Sequence, residues 1–334
     1  MTMRTVHLPV AAQSSFESLV DLGISAEAHG YGRAWLPETW GRDAVTVLAT
    51  LAERTDEIGI GTSIINAYSR TPATVAQTAA TLQESSDGRF RLGLGPSGPA
   101  VILGWHGEEF ERPLRRTREY VEIVRMALSG ETVRYAGDIF QLGGFRLRQG
   151  PPDEDVGIDV TGMGPKAVEL AGRFADGWHA LMFTPDGFEE RRQDLQRGAD
   201  LGDRDVDNVR VTLTVPCCAL DDAEHARSLV RQHVAFYVGG MGTFYRDALS
   251  RQGYETLAHD VYDAWQAGDR EDALDAVDPL LDELGAFGTP EAVRERFAEF
   301  EAMAGVDRVA VSFPRGADHD EIESTMAALA PNHN

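Results

Sequence analysis

The 334-residue sequence predicts an α/β fold, a closed (β/α)8 barrel of parallel strands sheathed by helices. Two observations carry this. Short apolar, β-branched or aromatic runs recur eight times, each followed by a stretch with helical periodicity. The helical stretches also open on residues suited to a helix start and close on turn formers. Eight such units in one run favour a closed barrel over an open doubly wound sheet.

The strands fall at residues 4–10 (RTVHLPV), 33–37, 58–65 (IGIGTSII), 90–95 (FRLGLG), 156–162, 177–183, 209–219 and 307–313. Ser14 and Glu17 read as a capping box ahead of the stripe Phe16, Leu19, Val20, Gly23 and Ile24. Thr71-Pro72, Thr184-Pro185 and Thr289-Pro290 each put threonine at the N-cap and proline at the first helical position. Gly164-Pro165 opens a further helix in the same way. Asp87-Gly88 and Asp176-Gly177 read as stops, with glycine supplying the left-handed residue. Two insertions enlarge the barrel, about 96–155 and 220–304. No Pro/Gly/Ser linker, low-complexity tract or short repeat interrupts it, so residues 1–334 read as a single domain.

Composition narrows the function. The 54 acidic residues against 31 basic ones give a net charge of −23, a surface that repels nucleic acid. Lys166 is the sole lysine, and acid excess with lysine depletion fits a protein soluble in concentrated salt. The alternative is an acidic cytosolic protein from an arginine-biased genome. The first residues hold only a five-residue apolar run, too short for a signal sequence, and no apolar run is long enough to span a bilayer. Cys217 and Cys218, adjacent and the only cysteines, read as buried thiols in a reducing cytoplasm. No metal motif appears; His225 and His233, eight apart on a helix, read as surface histidines.

Residues 93–98, GLGPSG, match the G-x-G-x-x-G spacing of a dinucleotide loop. The context argues against that reading. The strand is the fourth rather than the first, Pro99 and AVILGWHG follow rather than a helix N-terminus, and no acid ends a strand about 20 residues on. The glycines instead let a barrel strand end close beside a ligand.

The stretches YSRTPATVAQTAATLQESSDGRFRLGLGPSGP and GWHGEEFERPLRRTREYVEIVR resemble the luciferase-like oxidoreductases that use coenzyme F420, including relatives of methylenetetrahydromethanopterin reductase. GMGPKAVELAGRFADGW and FGTPEAVRERFAEFEAMAGVDRVAV are similar to later segments of the same family. The resemblance implies a TIM barrel of the bacterial luciferase-like type with F420 across its C-terminal face, and at least a homodimer. It implies that GTSIINAY carries a non-prolyl cis peptide at Ser63–Ile64, with Ile64 against the back of the deazaflavin and Gly95 beside it. It further implies that Gly162, Met163 and Gly164, ahead of a helix start, bind the coenzyme phosphate, and that Lys166 faces the phosphate or the oligoglutamate tail.

Around the reaction the sequence departs from the family. His7 stands where the reductase has a glutamate, Glu38-Thr39 where many relatives have an acid–histidine pair, and Gly98 where the reductase has an aspartate. His7 is the candidate proton relay, because imidazole titrates near neutral pH, with Glu38 tuning it or holding substrate. The competing reading of His7 is an inert histidine inside the barrel. Trp40, Trp105, His106 and His179 are pocket candidates. The expected activity is hydride transfer between reduced F420 and a small electrophilic substrate, with 5,10-methylene-tetrahydrofolate or -tetrahydropterin as the leading substrate. The alternatives are an FMN-dependent luciferase-like monooxygenase and a barrel that binds a flavin or deazaflavin without turnover.

Overall fold

The computed structural model describes residues 2–10 and 13–331; residues 1 and 332–334, the ends of the expected 1–334 span, lie outside them. In chain order the strands are β1 (Met3–His7), β2 (Arg33–Leu36), β3 (Gly59–Thr62), β4 (Ile65–Asn66), β5 (Phe90–Gly95), β6 (Val133–Ala136), β7 (Gln141–Phe145), β8 (Gly157–Thr161), β9 (Gly177–Leu181), β10 (Arg210–Ala219), β11 (Ala286–Gly288) and β12 (Arg308–Ser312). Eight of them close a parallel barrel in the order β1-β2-β3-β5-β8-β9-β10-β12, with β12 pairing back onto β1. All eight expected runs are barrel strands. The run at 58–65 is broken into β3 and β4, and both pieces lie along β5.

The surrounding helices are α1 (Phe16–Ala28), α2 (Ala44–Arg54), α3 (Pro72–Ser85), α4 (Pro99–Val101), α5 (Pro113–Leu128), α6 (Pro165–Phe174), α7 (Pro185–Leu201), α8 (Ala223–Gly240), α9 (Thr243–Leu249), α10 (Glu255–Ala267), α11 (Arg270–Val277), α12 (Leu281–Leu284), α13 (Pro290–Glu301) and α14 (His319–Ala328). Each barrel helix turns an apolar stripe inward; on α1 it is Leu19, Val20, Leu22 and Ala26, all fully buried. Burial of one such leucine is worth roughly 1.5–3 kcal/mol. Thr71, Thr184 and Thr289 each accept a first-turn N–H, as their spacing predicts. The first insertion carries the hairpin β6–β7, and the second carries α8–α12 and β11.

Four local expectations are corrected. The N-cap of α1 is Ser15, which accepts from Ser18 N, and Glu17 turns away to Arg54. A short helix does start at Pro99 after Gly98, continuing as a π-turn over Ile102–His106. Gly88 is left-handed but Gly177 is not. Gly177 is glycine because a Cβ there would collide with the Asp159 carboxylate. His233 is buried on α8, its Nδ1 accepting from Arg315 N, whereas His225 is exposed beside Glu321. Cys217 and Cys218 are buried free thiols, and burial pushes the Cys218 thiol up to about 12. Among the described residues no helix is long and apolar enough to cross a membrane.

Candidate active site

The carboxyl ends of the strands form the mouth of the barrel, and the break in the third strand shapes it. The Ser63–Ile64 peptide bond is cis, as the resemblance implies. The end of β2 holds both sides of it: Ser63 N donates to Leu36 O at 2.8 Å and Glu38 N donates to Ile64 O at 3.1 Å. Ile64 is partly exposed toward the mouth and faces Gly95 at the end of β5. A Cβ on Gly95 would lie 3.3 Å from the Ile64 side chain and 2.5 Å from Thr161 Cγ2. Glycine there lets Ile64 and Thr161 close in on the end of β5.

Glu38 follows β2. Its Oε1 accepts from Arg70 Nε at 2.8 Å and Nη2 at 2.6 Å, and Arg70 Nη2 also reaches Asp43. Its Oε2 is buried with no described donor. A buried carboxylate oxygen left unpaired is costly unless a ligand supplies an N–H or O–H. Trp40, just beyond, is exposed.

Two histidines face each other inside the barrel, ring centroids 6.3 Å apart. His7 ends β1, its Nε2 3.5 Å from Thr214 Oγ1. Although its edge is partly exposed at the mouth, desolvation first, then the neighbouring His179, pushes it down to about 3. His7 is therefore a neutral imidazole at physiological pH, and the near-neutral titration expected of it is replaced by burial. His179 is fully enclosed and belongs to a chain of polar groups across three strands. Its Nδ1 lies 3.5 Å from Ser63 Oγ and its Nε2 3.4 Å from Asp159 Oδ2, and Arg91 forks onto that carboxylate at 2.6–2.9 Å. Burial alone would raise the Asp159 carboxyl, but Arg91 and His179 outweigh it and hold it well below the carboxylate range. Trp35 packs edge-on to His179 at 4.5 Å and fills the barrel centre, where a Cβ on Gly61 would strike it.

Across the mouth, Gly162, Met163 and Gly164 lead into α6. Gly164 is its N-cap with no side-chain acceptor; Pro165 has no N–H and Ala167 N donates to Gly164 O at 3.0 Å, which leaves Lys166 N as the unbonded first-turn donor. A helix start of this kind, with its dipole, favours an anion. Gly162 O accepts from Trp178 Nε1 at 2.9 Å, and Met163 packs against the core. Lys166 does not turn to this turn; it is exposed and pairs with Glu169 at 2.8 Å, in an outer groove with Arg115, Arg118 and Arg173. The cation near Gly164 is Arg251, between α9 and α10, whose Nη1 lies 3.9 Å from where a Gly164 Cβ would be. Gln252 pins that segment by accepting from Thr184 N and donating to Met182 O.

The two insertions meet over the mouth. Phe110 stacks on Tyr68 at 5.3 Å and leans on Phe244 at 5.7 Å. Gly98 faces Met241 O and Phe244, at 3.6 and 3.9 Å from where its Cβ would stand. His106 approaches Asn66 at 3.4 Å, while Trp105 is 61% exposed and lines no enclosed space.

A family model described as luciferase-like monooxygenase matches residues 1–308. The chain belongs to the luciferase-like monooxygenase family. It is 34% identical over 311 residues to a Mycobacterium tuberculosis protein named for coenzyme F420-dependent oxidoreduction, covering 87% of this chain and 89% of that one. It is 31% identical over 297 residues to 5,10-methylenetetrahydromethanopterin reductase of Archaeoglobus fulgidus, covering 88% of each. The coenzyme F420-dependent tetrahydromethanopterin reductase of Methanopyrus kandleri superposes with a TM-score of 0.83 at 25% identity, over 98% of this chain and 97% of that one.

On this luciferase-like barrel, sequence reasoning missed Arg251, Asp159, Arg91 and Thr214. Arg251 sits in a short π-turn between two helices of the second insertion, where no motif marks it. Asp159 was one polar residue inside an apolar strand run, VGIDVTG, and that irregularity was the available sign of a buried ion pair.

Proposed function

We propose that this chain is a coenzyme F420-dependent oxidoreductase that reduces a 5,10-methylene-tetrahydropterin or -tetrahydrofolate. The observation that carries the cofactor reading is the paired geometry of the mouth: the cis Ser63–Ile64 kink with Ile64 packed over Gly95 on one side, the start of α6 without a side-chain cap on the other. The names of the relatives support it. These residues fit the coenzyme: an apolar face for a flat ring, the free Lys166 N–H and Arg251 for a phosphate. When bound, F420 supplies hydride chemistry at C5.

The chain's own residues supply position and dryness. Ile64 and Gly95 shape the wall behind the ring. Phe110, Tyr68 and Phe244 close the rim against water. Glu38 Oε2, held by Arg70 on its other oxygen, is an acceptor lacking a donor, and the amino-pyrimidinone edge of a pterin or folate presents N–H donors. That match favours a pterin-type substrate over a simple alcohol. His7, neutral, carries one ring N–H, so it donates one hydrogen bond and accepts another but bears no positive charge at pH 7.

The test is oxidation of reduced F420, followed optically, against methylene-tetrahydrofolate, methylene-tetrahydromethanopterin and a panel of ketones and imines in concentrated salt. Turnover confined to the methylene-pterins supports the reading. A flat trace across all of them, or an FMN chromophore on protein purified from its native host, overturns it.

A further inference from the structure

The opposite pole of the barrel gathers positive charge in a protein that is strongly acidic. Arg33 starts β2, Arg91 lies near the start of β5, Arg210 starts β10 and Arg308 starts β12. Arg33 lies within electrostatic reach of Arg91, Arg308 and Arg210, and Arg308 within reach of Arg91 and Arg210. Two are seated deliberately: Arg33 pairs in register with Gly59 and Arg91 with Gly157, and each guanidinium lies where a Cβ on that glycine would stand. The carboxylates facing the cluster are few. Asp159 is engaged by Arg91, Asp307 takes Val211 N on one oxygen and faces Arg308 without forming an ion pair with it, and Asp176 is shared by Arg125, Arg204 and Ile158 N.

The remaining cations form no ion pair among the described residues. Arg33 donates only to the carbonyls of Ile60 and Arg89 and lies 5.3 Å above the Trp35 ring. Arg308 makes no hydrogen bond or ion pair to any described residue, and its Nη1 is buried and unpartnered. Desolvation, then mutual repulsion, lowers both guanidiniums, Arg33 to about 9. Converging, partly desolvated guanidiniums without a counter-charge are unfavourable unless a mobile anion supplies it.

We propose that the amino-terminal pole of the barrel is a binding site for one small inorganic anion, a halide or an oxyanion, held by Arg33 and Arg308. It lies at the far end of the barrel from the mouth and does not depend on which substrate the mouth takes.

Crystals of the full chain grown in bromide, and in parallel in selenate, test this directly through anomalous scattering. A peak within hydrogen-bonding reach of Arg308 and Arg33 in either salt is expected, and which salt gives it separates halide from oxyanion. No peak there in both overturns the site. In solution, melting is compared between potassium chloride and potassium gluconate at matched ionic strength, with potassium sulfate added for the oxyanion case. The favoured anion is expected to raise Tm by roughly 2–4 °C, and Arg308→Met to abolish that increment. An equal increment in R308M shows an adventitious ion only and overturns the proposal. If R308M does not fold, Arg33→Met is read in its place.

Discussion

The two ends of the barrel interior are both polar, but they are left incomplete in opposite senses. At the mouth the unpaired groups are acceptors or neutral: Glu38 Oε2 lacks a donor and His7 is an uncharged imidazole. At the base the unpaired groups are donors on cations, Arg308 above all. Between them Arg91 forks onto Asp159, His179 Nε2 approaches the same carboxylate at 3.4 Å to complete a polar column, and the Trp35 indole fills the remaining width. The contrast teaches that polarity inside a barrel is tolerated in two ways. In the column each charge meets its partner; at either end a charge or lone pair is left for a ligand.

The largest effect is expected from breaking the column. Asp159→Ala leaves Arg91 buried without a counter-charge and should cost about 3–5 kcal/mol in denaturant unfolding. Because the folded carboxyl titrates below the ordinary range, its contribution is complete above about pH 4 and drains away as pH falls through the folded value. Wild-type stability should show that acid-side loss and the variant should not.

Next comes the mouth. Glu38→Gln keeps the shape and should lower turnover by about 10²-fold, while moving the unfolding free energy by only about 1 kcal/mol. Equal losses in both measurements would erase the contrast between the ends. Gly95→Ala should cost about 1–3 kcal/mol by overpacking Thr161, and weaken F420 binding measured by fluorescence titration.

His7 gives a subtler reading. Its folded value near 3 lies below the unfolded value of about 6.5. The native state is thus favoured above that unfolded value and loses ground as pH falls from it toward 3. His7→Ala should flatten this segment of the stability curve. The smallest change is Thr71→Ala, which removes the cap on Thr74 N for about 1 kcal/mol and should leave coenzyme binding untouched.

The barrel was legible because its strands are apolar runs of the right length between proline-marked helix starts. The hairpin β6–β7 was not, since its strands are only four and five residues long and the alternation of Val133 and Tyr135 is too brief to stand out in the insertion. The three residues of β11 were too short to register. At the mouth, the kink and the glycine turn were readable through local motifs, because each is made by consecutive residues. The column was not, because Arg91, Asp159 and His179 come from three strands and meet only when the barrel closes. Lys166 drew attention by its rarity and its place on the first turn of α6, and its side chain turns outward to Glu169.

Trp35 has an optical consequence. It is one of only two fully buried tryptophans, Trp178 being the other, while Trp40 and Trp105 stand in solvent. Its indole has an arginine from one pole on its face and a histidine from the other at its edge. A chain retaining Trp35 alone would carry an intrinsic fluorophore seated midway, whose emission shifts when either end is loaded, and with the sign of the charge that arrived.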